Sequence, residues 1–342
     1  MGTVKIFSTS GSEYLAEGIL NEIKTRLPEN MMHQKLGKVC FHYYSNENVE
    51  AELRENVRGT FCVVIHTQVP PVNDHLMELF GLLDAMKNSG AADILLVFPY
   101  MPYCRSDRKN RPRISTLGEL IPEIISGVLG IKKVLLLDPH DAHLKHYFNP
   151  TADEITSIYL LARKIEERIF SRYAKNDCVV VFADEGSVKR FKKMAYTLGI
   201  GSAYIDKDRP DNSETPAPNK VIGAVKGKMC ILVDDEILTA GTVVSDAELL
   251  MSEGAKGVVS ATVHAVLRNK KKASQELMAL LEQSPIERFF FTNSIPIEGK
   301  DEFCGKTEII SVDALLGESI SRIVLNQSIS DLHDYKNVKL YV

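Results

Sequence analysis

The sequence predicts an α/β protein built from mainly parallel sheets flanked by helices. Short runs rich in valine, isoleucine, leucine and phenylalanine alternate with helical patterns from one end of the chain to the other. These runs lack the alternation of apolar and polar residues that marks a strand with one solvated face, so helices should cover both faces of each sheet. At 342 residues the chain is too long for one ordinary core, which favours two such domains.

Eight segments carry the strand pattern, and helical patterns separate them. The predicted strands are residues 61–68, 93–100, 133–143, 178–186, 201–207, 229–236, 257–266 and 288–295. Residues 75–90 and 244–257 place apolar side chains at i, i+3 and i+4 and end in glycine, which predicts a helix with its C-terminal stop in each.

A polar stretch at residues 150–157 interrupts this alternation, and we place the domain boundary there. The N-terminal domain is then residues 1–155 and the C-terminal domain residues 156–342, with the last residues able to pack back on the N-terminal domain. Residues 206–220 are rich in proline, aspartate and asparagine and have no periodicity, which predicts a mobile functional loop.

Composition excludes several classes of function. The formal net charge of -4 gives no overall basic field for nucleic acid. No run approaches the roughly 18 apolar residues of a membrane span, and the N-terminus lacks the basic region and apolar core of a signal peptide. The six cysteines form no CxxC motif, and most lie in or beside apolar runs. We therefore expect a cytoplasmic protein with no nucleic-acid or membrane partner.

Polar residues follow several of the predicted strands, at the edge where an open parallel sheet binds its ligands. The strand that reaches Phe98 is followed by a basic segment, and other strands are followed by carboxylates or histidine. Arginine suits phosphate because its planar fork donates two parallel hydrogen bonds, and carboxylates suit a divalent metal. This combination indicates a polyphosphate ligand held together with a metal ion.

The most specific segment is MCILVDDEILTAGT, residues 229–242. An apolar run ends in Asp234 and Asp235, and the small turn 239–242 then precedes a helical pattern. Backbone N–H groups at a helix N-terminus favour a phosphate, and the two carboxylates could accept hydrogen bonds from a pair of sugar hydroxyls. A diol beside a phosphate indicates ribose 5-phosphate. An Asp-rich turn with a Thr N-cap explains the turn, but not two acids after a buried strand.

The other segments also have plain structural interpretations. The charge run from Arg105 to Arg113 is of a kind that is usually solvated loop surface. His140 could be a satisfied polar strand end rather than a metal ligand. Magnesium prefers oxygen, so Asp184 is the better ligand on chemical grounds.

VDDEILTAGT (233–242) resembles the phosphoribosyl-pyrophosphate loop of phosphoribosyltransferases and of ribose-phosphate pyrophosphokinases. The rest of the chain favours the second family, because further segments match its pattern in order over residues 4–332. These segments are PVNDHLMELFGLLDAMK, FPYMPYCRSDRK, LLLDPHDAHLKHYF, ADEGSVKRFKKMA, AYIDKDRP, TNSI and ISVDALLGESISRIV. The resemblance implies two phosphoribosyltransferase-like domains in a homo-oligomer assembled from dimers, often a hexamer.

The resemblance also implies an activity and a role for each matching residue. The enzyme would transfer the β,γ-diphosphoryl group of ATP to the anomeric hydroxyl of ribose 5-phosphate, with Mg²⁺ as cofactor. Catalysis would use Lys207 and Arg209, and Mg²⁺ would be held by His140 and Asp184. ATP would be contacted by Arg105, Ser106, Asp107, Arg108, Tyr44, Asn46 and Asn48. Ribose 5-phosphate would be bound by Asp234, Asp235, Thr239, Ala240, Gly241 and Thr242.

The chain departs from the family pattern at four places. Residues 44–48, YSNEN, stand where the family has the Phe-Ser-Asp-Gly-Glu element that a neighbouring subunit uses to hold adenine. Ser106 replaces a glutamine, residues 183–187, ADEGS, replace an Asp-His-Gly-Gly pattern, and Leu238 replaces a third aspartate. The last change makes the acceptor pocket less negative and more apolar.

Three interpretations follow from these departures. The first is synthesis of phosphoribosyl pyrophosphate by a divergent site. The second is the same chemistry on a bulkier ribose 5-phosphate ester such as ADP-ribose. The third is a non-catalytic, nucleotide-binding regulatory homologue, and the retention of Lys207, Arg209, His140 and Asp184 argues against it.

Overall fold

A computed structural model describes residues 3–109, 112–207, 219–268, 274–296 and 305–340 of the chain. These residues form two compact units. The first contains the described residues within 1–156, 294–296 and 313–342, and the second those within 157–293 and 297–312. The change of unit after Thr156 lies inside the polar stretch at 150–157. The C-terminal helix belongs to the first unit. Sequence analysis assigned residues 156–342 to the second domain, with the last residues able to pack back on the first.

Fourteen strands occur in the described part of the chain. They are β1 (Val4–Ser8), β2 (Val39–Tyr43), β3 (Val49–Leu53), β4 (Phe61–Thr67), β5 (Asp93–Tyr100), β6 (Lys133–Leu137), β7 (Asp153–Ile155), β8 (Cys178–Phe182), β9 (Gly201–Asp206), β10 (Lys220–Ile222), β11 (Met229–Ile237), β12 (Gly257–Ala265), β13 (Ile286–Thr292) and β14 (Thr307–Ile310). The first unit has a parallel sheet of order β1-β4-β5-β6-β7, and β2 and β3 form an antiparallel hairpin. The second unit has a sheet of order β10-β9-β8-β11-β12-β13-β14, parallel except at β10.

Eight α-helices cover the sheets in the described ranges. They are α1 (Glu13–Lys24), α2 (Val72–Asn88), α3 (Leu117–Glu123), α4 (Ile158–Arg168), α5 (Glu185–Leu198), α6 (Gly241–Ser252), α7 (Ser274–Gln283) and α8 (Asp313–Val324). The central strands are buried on both faces: all nine residues of β12 are buried, as are all five of β8. This uniform burial explains why the strand segments lack alternation.

Glycine allows α1 and α8 to pack closely in the first unit. A Cβ atom at Gly18 would lie 2.3 Å from the carboxylate of Asp313, and one at Gly317 would lie 2.7 Å from the Glu22 side chain. Arg26 Nε also donates to Glu318 Oε2 over 3.1 Å. The C-terminal helix is therefore a fixed part of the first unit.

A buried carboxylate ties the β2–β3 hairpin to the first unit. Glu78 of α2 is 1% exposed and accepts hydrogen bonds from Ser10 N, Ser10 Oγ and Tyr43 Oη. Burial, followed by the hydrogen bond to Glu78, raises the pKa of Tyr43. The phenol therefore stays protonated and keeps donating to Glu78, which fixes the end of β2.

The predicted fold class, α/β with mainly parallel sheets flanked by helices, is confirmed. Each of the eight predicted strand segments contains a strand, but three were drawn clearly too long at their C-terminal ends. The strand in 133–143 ends at Leu137 and the one in 288–295 ends at Thr292. The one in 178–186 ends at Phe182 because α5 begins at Glu185. No helix in the described part of the chain is long and apolar enough to cross a membrane.

Candidate active site

Asp184 follows β8 and begins α5. Its side-chain Oδ1 accepts a hydrogen bond from Ser187 N over 2.7 Å, which is the contact of an N-cap residue. Sequence analysis expected a strand over 178–186 and missed this role. Asp184 is therefore fixed by the helix it caps, at the carboxyl edge of the second sheet.

The strand β11 includes the whole predicted segment 229–236 and extends one residue further, to Ile237. Glu236 lies beside His264 and Ile237 beside Ala265 of β12. Asp234 and Asp235 therefore lie within a strand, as the predicted segment implied. Their positions are fixed by the ladder, which suits residues that must bind a ligand in one orientation.

Both carboxylates of this pair are contacted from α5. Ser187 Oγ donates to Asp234 Oδ1 over 3.2 Å, and Arg190 Nη1 donates to Asp235 Oδ2 over 2.9 Å. Asp234 Oδ1 also accepts from Asp235 N over 2.9 Å. Asp235 is only 4% exposed, so its ion pair with Arg190 is largely removed from solvent. Asp234, which is half-buried, is the more accessible of the two.

Burial raises the pKa of Asp234 well above its ordinary value, and the nearby charges of Asp235 and Asp184 raise it further. Three carboxylates thus influence one another at the ends of β8 and β11. Such a group is unfavourable when all members are ionised, and an added cation relieves the repulsion. The candidate ligand atoms are carboxylate oxygens, which magnesium prefers, so this part of the second unit fits a divalent cation.

The turn after β11 leaves a helix N-terminus open. Ala240 has a left-handed backbone, with φ of 63°, and α6 begins at the next residue, Gly241. Ala240 has no side-chain oxygen with which to cap the helix, while Thr239, Gly241 and Thr242 are exposed. Free N–H groups at a helix N-terminus attract phosphate. The turn that sequence analysis assigned to the 5-phosphate therefore precedes a helix N-terminus without a side-chain cap.

Leu238 lies between the carboxylates and this turn, and it is half-buried. Its carbonyl accepts from Arg268 N over 2.8 Å, and the Ile237 carbonyl accepts from Leu267 N over 3.0 Å. The segment after β12 therefore holds the beginning of the turn in place. The side chain at position 238 adds no charge to the three carboxylates.

Lys207 directly follows β9 and pairs with a buried carboxylate of α6. Its Nζ donates to Asp246 Oδ2 over 2.9 Å, with side-chain exposures of 18% for Lys207 and 1% for Asp246. The second residue predicted to be catalytic, Arg209, lies outside the described residues.

In the first unit, the basic segment predicted to bind ATP follows β5. Arg105 and Arg108 are exposed, whereas the Asp107 side chain is buried and its carbonyl accepts from Tyr147 Oη over 3.3 Å. Ser106 is half-buried, and its Oγ donates to Ser115 O over 3.3 Å. Two exposed arginines beside an anchored turn are suited to phosphate oxygens.

The segment after β6 carries His140, which is half-buried. Because β5 and β6 are neighbours, the segments that follow them adjoin, and Arg108 forms an ion pair with Asp141. Asp138, at the start of this segment, accepts a hydrogen bond from Thr156 Oγ1 over 2.5 Å. The structure therefore brings the predicted ATP and metal segments of the first unit side by side.

Residues 44–48 form the tip of the β2–β3 hairpin. Tyr44 is 52% exposed, and its Oη donates to Glu50 Oε2 over 3.0 Å. Asn46 Oδ1 accepts from Asn48 N over 3.2 Å, so this side chain is engaged within the turn. Glu47 has a φ of 67°, in the left-handed region where only glycine is unstrained.

Replacing Glu47 with glycine should raise the free energy of unfolding by about 1 kcal/mol, because it removes the steric cost of a left-handed non-glycine residue. The gain would appear as a higher midpoint in chemical denaturation. Glu17→Gly is the matched control, since Glu17 is exposed within α1 and its loss should lower the midpoint by a similar amount. Equal losses in both variants would contradict the strain at position 47.

Sequence analysis missed three residues that organise the second unit: Ser187, Arg190 and Asp246. The partners of Ser187 and Arg190 lie more than forty residues away in the chain, so no local pattern could identify them. Asp246 did carry a signal. It occupies a position of the buried stripe of α6 that otherwise contains Val243, Ala247 and Leu250.

Comparison with known proteins identifies relatives of the whole chain. Residues 4–128 match the family model of the N-terminal domain of ribose phosphate pyrophosphokinase, and residues 207–334 match that of the phosphoribosyl synthetase-associated domain. The chain is 36% identical over 331 residues to ribose-phosphate pyrophosphokinase 1 of Listeria monocytogenes, covering 97% of both chains. It is 33% identical to ribose-phosphate pyrophosphokinase of Fusobacterium nucleatum, covering 96% of this chain and 98% of that one.

A solved structure matches over the same extent. The crystal structure of phosphoribosylpyrophosphate synthetase from Mycobacterium smegmatis superposes with a TM-score of 0.83 and 28% sequence identity. The match covers 95% of this chain and 99% of the other. The similarity therefore includes both units of the protein.

Proposed function

Because the chain belongs to the ribose-phosphate pyrophosphokinase family, we propose that it transfers the β,γ-diphosphoryl group of ATP to the anomeric hydroxyl of ribose 5-phosphate. The products are phosphoribosyl pyrophosphate and AMP. The observation that carries this conclusion is the end-to-end similarity to proteins of that name, which covers 97% and 96% of the chain for the two relatives described above. The hydroxyl oxygen attacks the β-phosphorus, and the bond from that phosphorus to the α,β-bridging oxygen breaks.

The acceptor is held by β11 and the N-terminus of α6. Thr239, Ala240, Gly241 and Thr242 receive the 5-phosphate, and Asp234 accepts hydrogen bonds from the ribose hydroxyls. The carboxylate of Asp235 is buried and paired with Arg190, so Asp235 contributes to acceptor binding mainly by orienting Asp234, to whose Oδ1 its backbone N–H donates. A phosphate at one end and a diol at the other fix the sugar in one direction. This orientation presents the anomeric hydroxyl to the donor.

Lys207 and Arg209 stabilise the charge of the diphosphoryl group during transfer. Phosphoryl-type transfer needs positioning and electrostatic stabilisation more than covalent catalysis. The support for this role is the position of Lys207, which follows β9 and is held against α6, the helix that begins at the proposed phosphate turn.

We assign Mg²⁺ as the cofactor. The proposed ligands are Asp184, within the second unit, and His140, within the first. When bound, the ion neutralises charge on phosphate oxygens. The carboxylates near Asp184 in the second unit support a divalent cation there, because burial and then the charges of Asp235 and Asp184 raise the pKa of Asp234. Asp184 is oriented by the hydrogen bond that its Oδ1 accepts from Ser187 N.

Arg105 and Arg108 are the proposed contacts of the ATP phosphates, together with Ser106 and Asp107. The exposed ring of Tyr44 stacks on the adenine of a neighbouring subunit, with Asn46 and Asn48 beside it. This role requires a homo-oligomer, built from dimers and reaching a hexamer, which we propose to act in the cytoplasm. The anchoring of Tyr43 by Glu78 supports a hairpin held in position for such a contact.

The comparisons do not support the two alternatives, ADP-ribose as acceptor and a non-catalytic regulatory role. The acceptor can be tested directly. Leu238 stands where the family has an aspartate, so the proposed acceptor pocket has one negative charge fewer. The experiment is to incubate the protein with ATP, Mg²⁺ and either ribose 5-phosphate or ADP-ribose, and to measure AMP release.

We expect AMP with ribose 5-phosphate and none above background with ADP-ribose. A reaction without acceptor corrects for ATP hydrolysis. AMP with ADP-ribose alone would overturn the acceptor assignment, and no AMP with either would overturn the enzymatic function.

A further inference from the structure

Asp246 is a charged residue in a position where α6 should carry an apolar one. The buried stripe of this helix consists of Val243, Asp246, Ala247 and Leu250, at the spacing i, i+3, i+4 and i+7. Asp246 is 1% exposed. A carboxylate buried on such a face is costly unless another group compensates its charge. The helix would pack without Asp246, so its presence calls for a reason other than folding.

The compensating group is the ammonium of Lys207. In the part of the chain that the structure describes, Lys207 Nζ is the only group that donates a side-chain hydrogen bond to the Asp246 carboxylate, over 2.9 Å. Burial raises the pKa of Asp246, while the hydrogen bond and charge of Lys207 act in the opposite direction. The pair therefore links the end of β9 to α6 through two side chains that are 18% and 1% exposed.

We propose that Asp246 is a positioning residue, which holds the Lys207 ammonium where it meets the diphosphoryl group during transfer. This inference rests on the proposed function. An ammonium has three protons, and the bond to Asp246 uses one of them, which leaves two for phosphate oxygens. Because Asp246 belongs to the helix that begins at Gly241, α6 fixes the position of Lys207 relative to the proposed phosphate turn.

The alternative is that the ion pair must break, so that the Lys207 ammonium moves away from Asp246 before Lys207 can contact the diphosphoryl group. That motion would leave a carboxylate buried and without its cation, which is strongly unfavourable. Retaining the pair avoids this cost and reduces the freedom of a long, flexible side chain. The geometry therefore favours a contact that persists through the reaction over one that must break.

The test is a double-mutant cycle on AMP release from ATP and ribose 5-phosphate, with kcat and KM measured separately. Asp246→Asn should lower kcat about tenfold and Asp246→Leu about a hundredfold, because loss of orientation at a reacting group has effects of this size. The KM for ATP should stay within about twofold. In a Lys207→Ala background neither change should lower kcat further, since Asp246 acts through Lys207.

Asp246→Leu also separates positioning from folding. Leucine restores the apolar stripe of α6, so this variant should remain folded in thermal denaturation. Glu248→Gln is the matched control, as it removes the same charge from an exposed position of the same helix and should leave kcat unchanged.

Three results would overturn the inference. The Asp246 variants could have a higher kcat than the wild type, or an unchanged kcat. The same substitutions could also lower kcat in the Lys207→Ala background by as much as they do in the wild type. If wild-type protein releases no AMP, the proposed function itself has failed. If the wild-type protein releases AMP but the Asp246 variants do not show the expected kcat values, only the positioning role of Asp246 is wrong.

Discussion

Lys207→Ala is expected to lower kcat for AMP release by about 10²- to 10³-fold, while the affinity for ATP changes little. The removed charge interacts mainly with the transferred group in the transition state, and losing one such electrostatic contact has an effect of this order. The measurement is steady-state kinetics combined with calorimetric titration of a non-hydrolysable ATP analogue. Normal turnover in this variant would remove Lys207 from the catalytic machinery.

The same substitution should also destabilise the second unit, because it leaves Asp246 charged and buried. We expect the free energy of unfolding to fall by about 3 kcal/mol, the lower end for a broken buried pair, since Lys207 retains 18% exposure. A lower kcat could then be mistaken for unfolding. The double variant Lys207→Met with Asp246→Leu resolves this, because an apolar pair of similar size restores stability. It should regain the unfolding midpoint and stay inactive.

Asp234→Asn should have opposite effects on stability and activity. The folded-state pKa of Asp234 lies above its unfolded value, chiefly because of burial and then because of the neighbouring Asp235. Its stabilising contribution is therefore complete below the unfolded pKa and is lost as pH rises through the folded pKa. When it is ionised, this side chain opposes folding. The substitution should raise the free energy of unfolding by about 1 kcal/mol and reduce turnover, since asparagine is a weaker acceptor for the ribose hydroxyls.

Chemical denaturation at pH 7 with EDTA measures this gain without a bound metal ion. The gain should shrink as pH is lowered, because protonation of Asp234 in the wild type removes its charge. Asp177→Asn is the control, as Asp177 is exposed in the same unit and its change should be within about 0.5 kcal/mol. A less stable Asp234→Asn variant at pH 7 would contradict the proposed repulsion.

Asp235→Asn makes a useful contrast with its neighbour. Asp235 is paired with Arg190 over 2.9 Å, so the same substitution one residue later removes a compensating ion pair. It should stabilise the protein less than Asp234→Asn does, or destabilise it.

The fold class could be predicted because the central strands are buried on both faces and appear in the sequence as uniform apolar runs. Two of the strands that sequence analysis missed lack this signal. β3, with the sequence VEAEL, is only partly buried, and β10 has three residues at a sheet edge. Their formation depends on pairing with distant strands, which local composition does not indicate.

The candidate site was partly predictable because Asp234, Asp235 and the turn after them are contiguous in the sequence and form a pattern with a chemical meaning. The predicted segment 229–236 was one residue shorter than β11, whose last residues pair with β12. The contacts of Ser187 and Arg190 also join elements far apart in the chain. Of the three residues that sequence analysis missed, only Asp246 was detectable, because it is a carboxylate within an apolar stripe of a helix.

The central claim is that the diphosphoryl group, and not a single phosphoryl group, moves from ATP to ribose 5-phosphate. Phosphorus-31 NMR of the reaction with Mg²⁺ tests this directly, because it distinguishes AMP from ADP and observes the new diphosphate ester on the sugar. The predicted result is AMP and a 1-diphosphorylated ribose 5-phosphate in equal amounts. ADP with a singly phosphorylated sugar, or AMP with free pyrophosphate only, would contradict it.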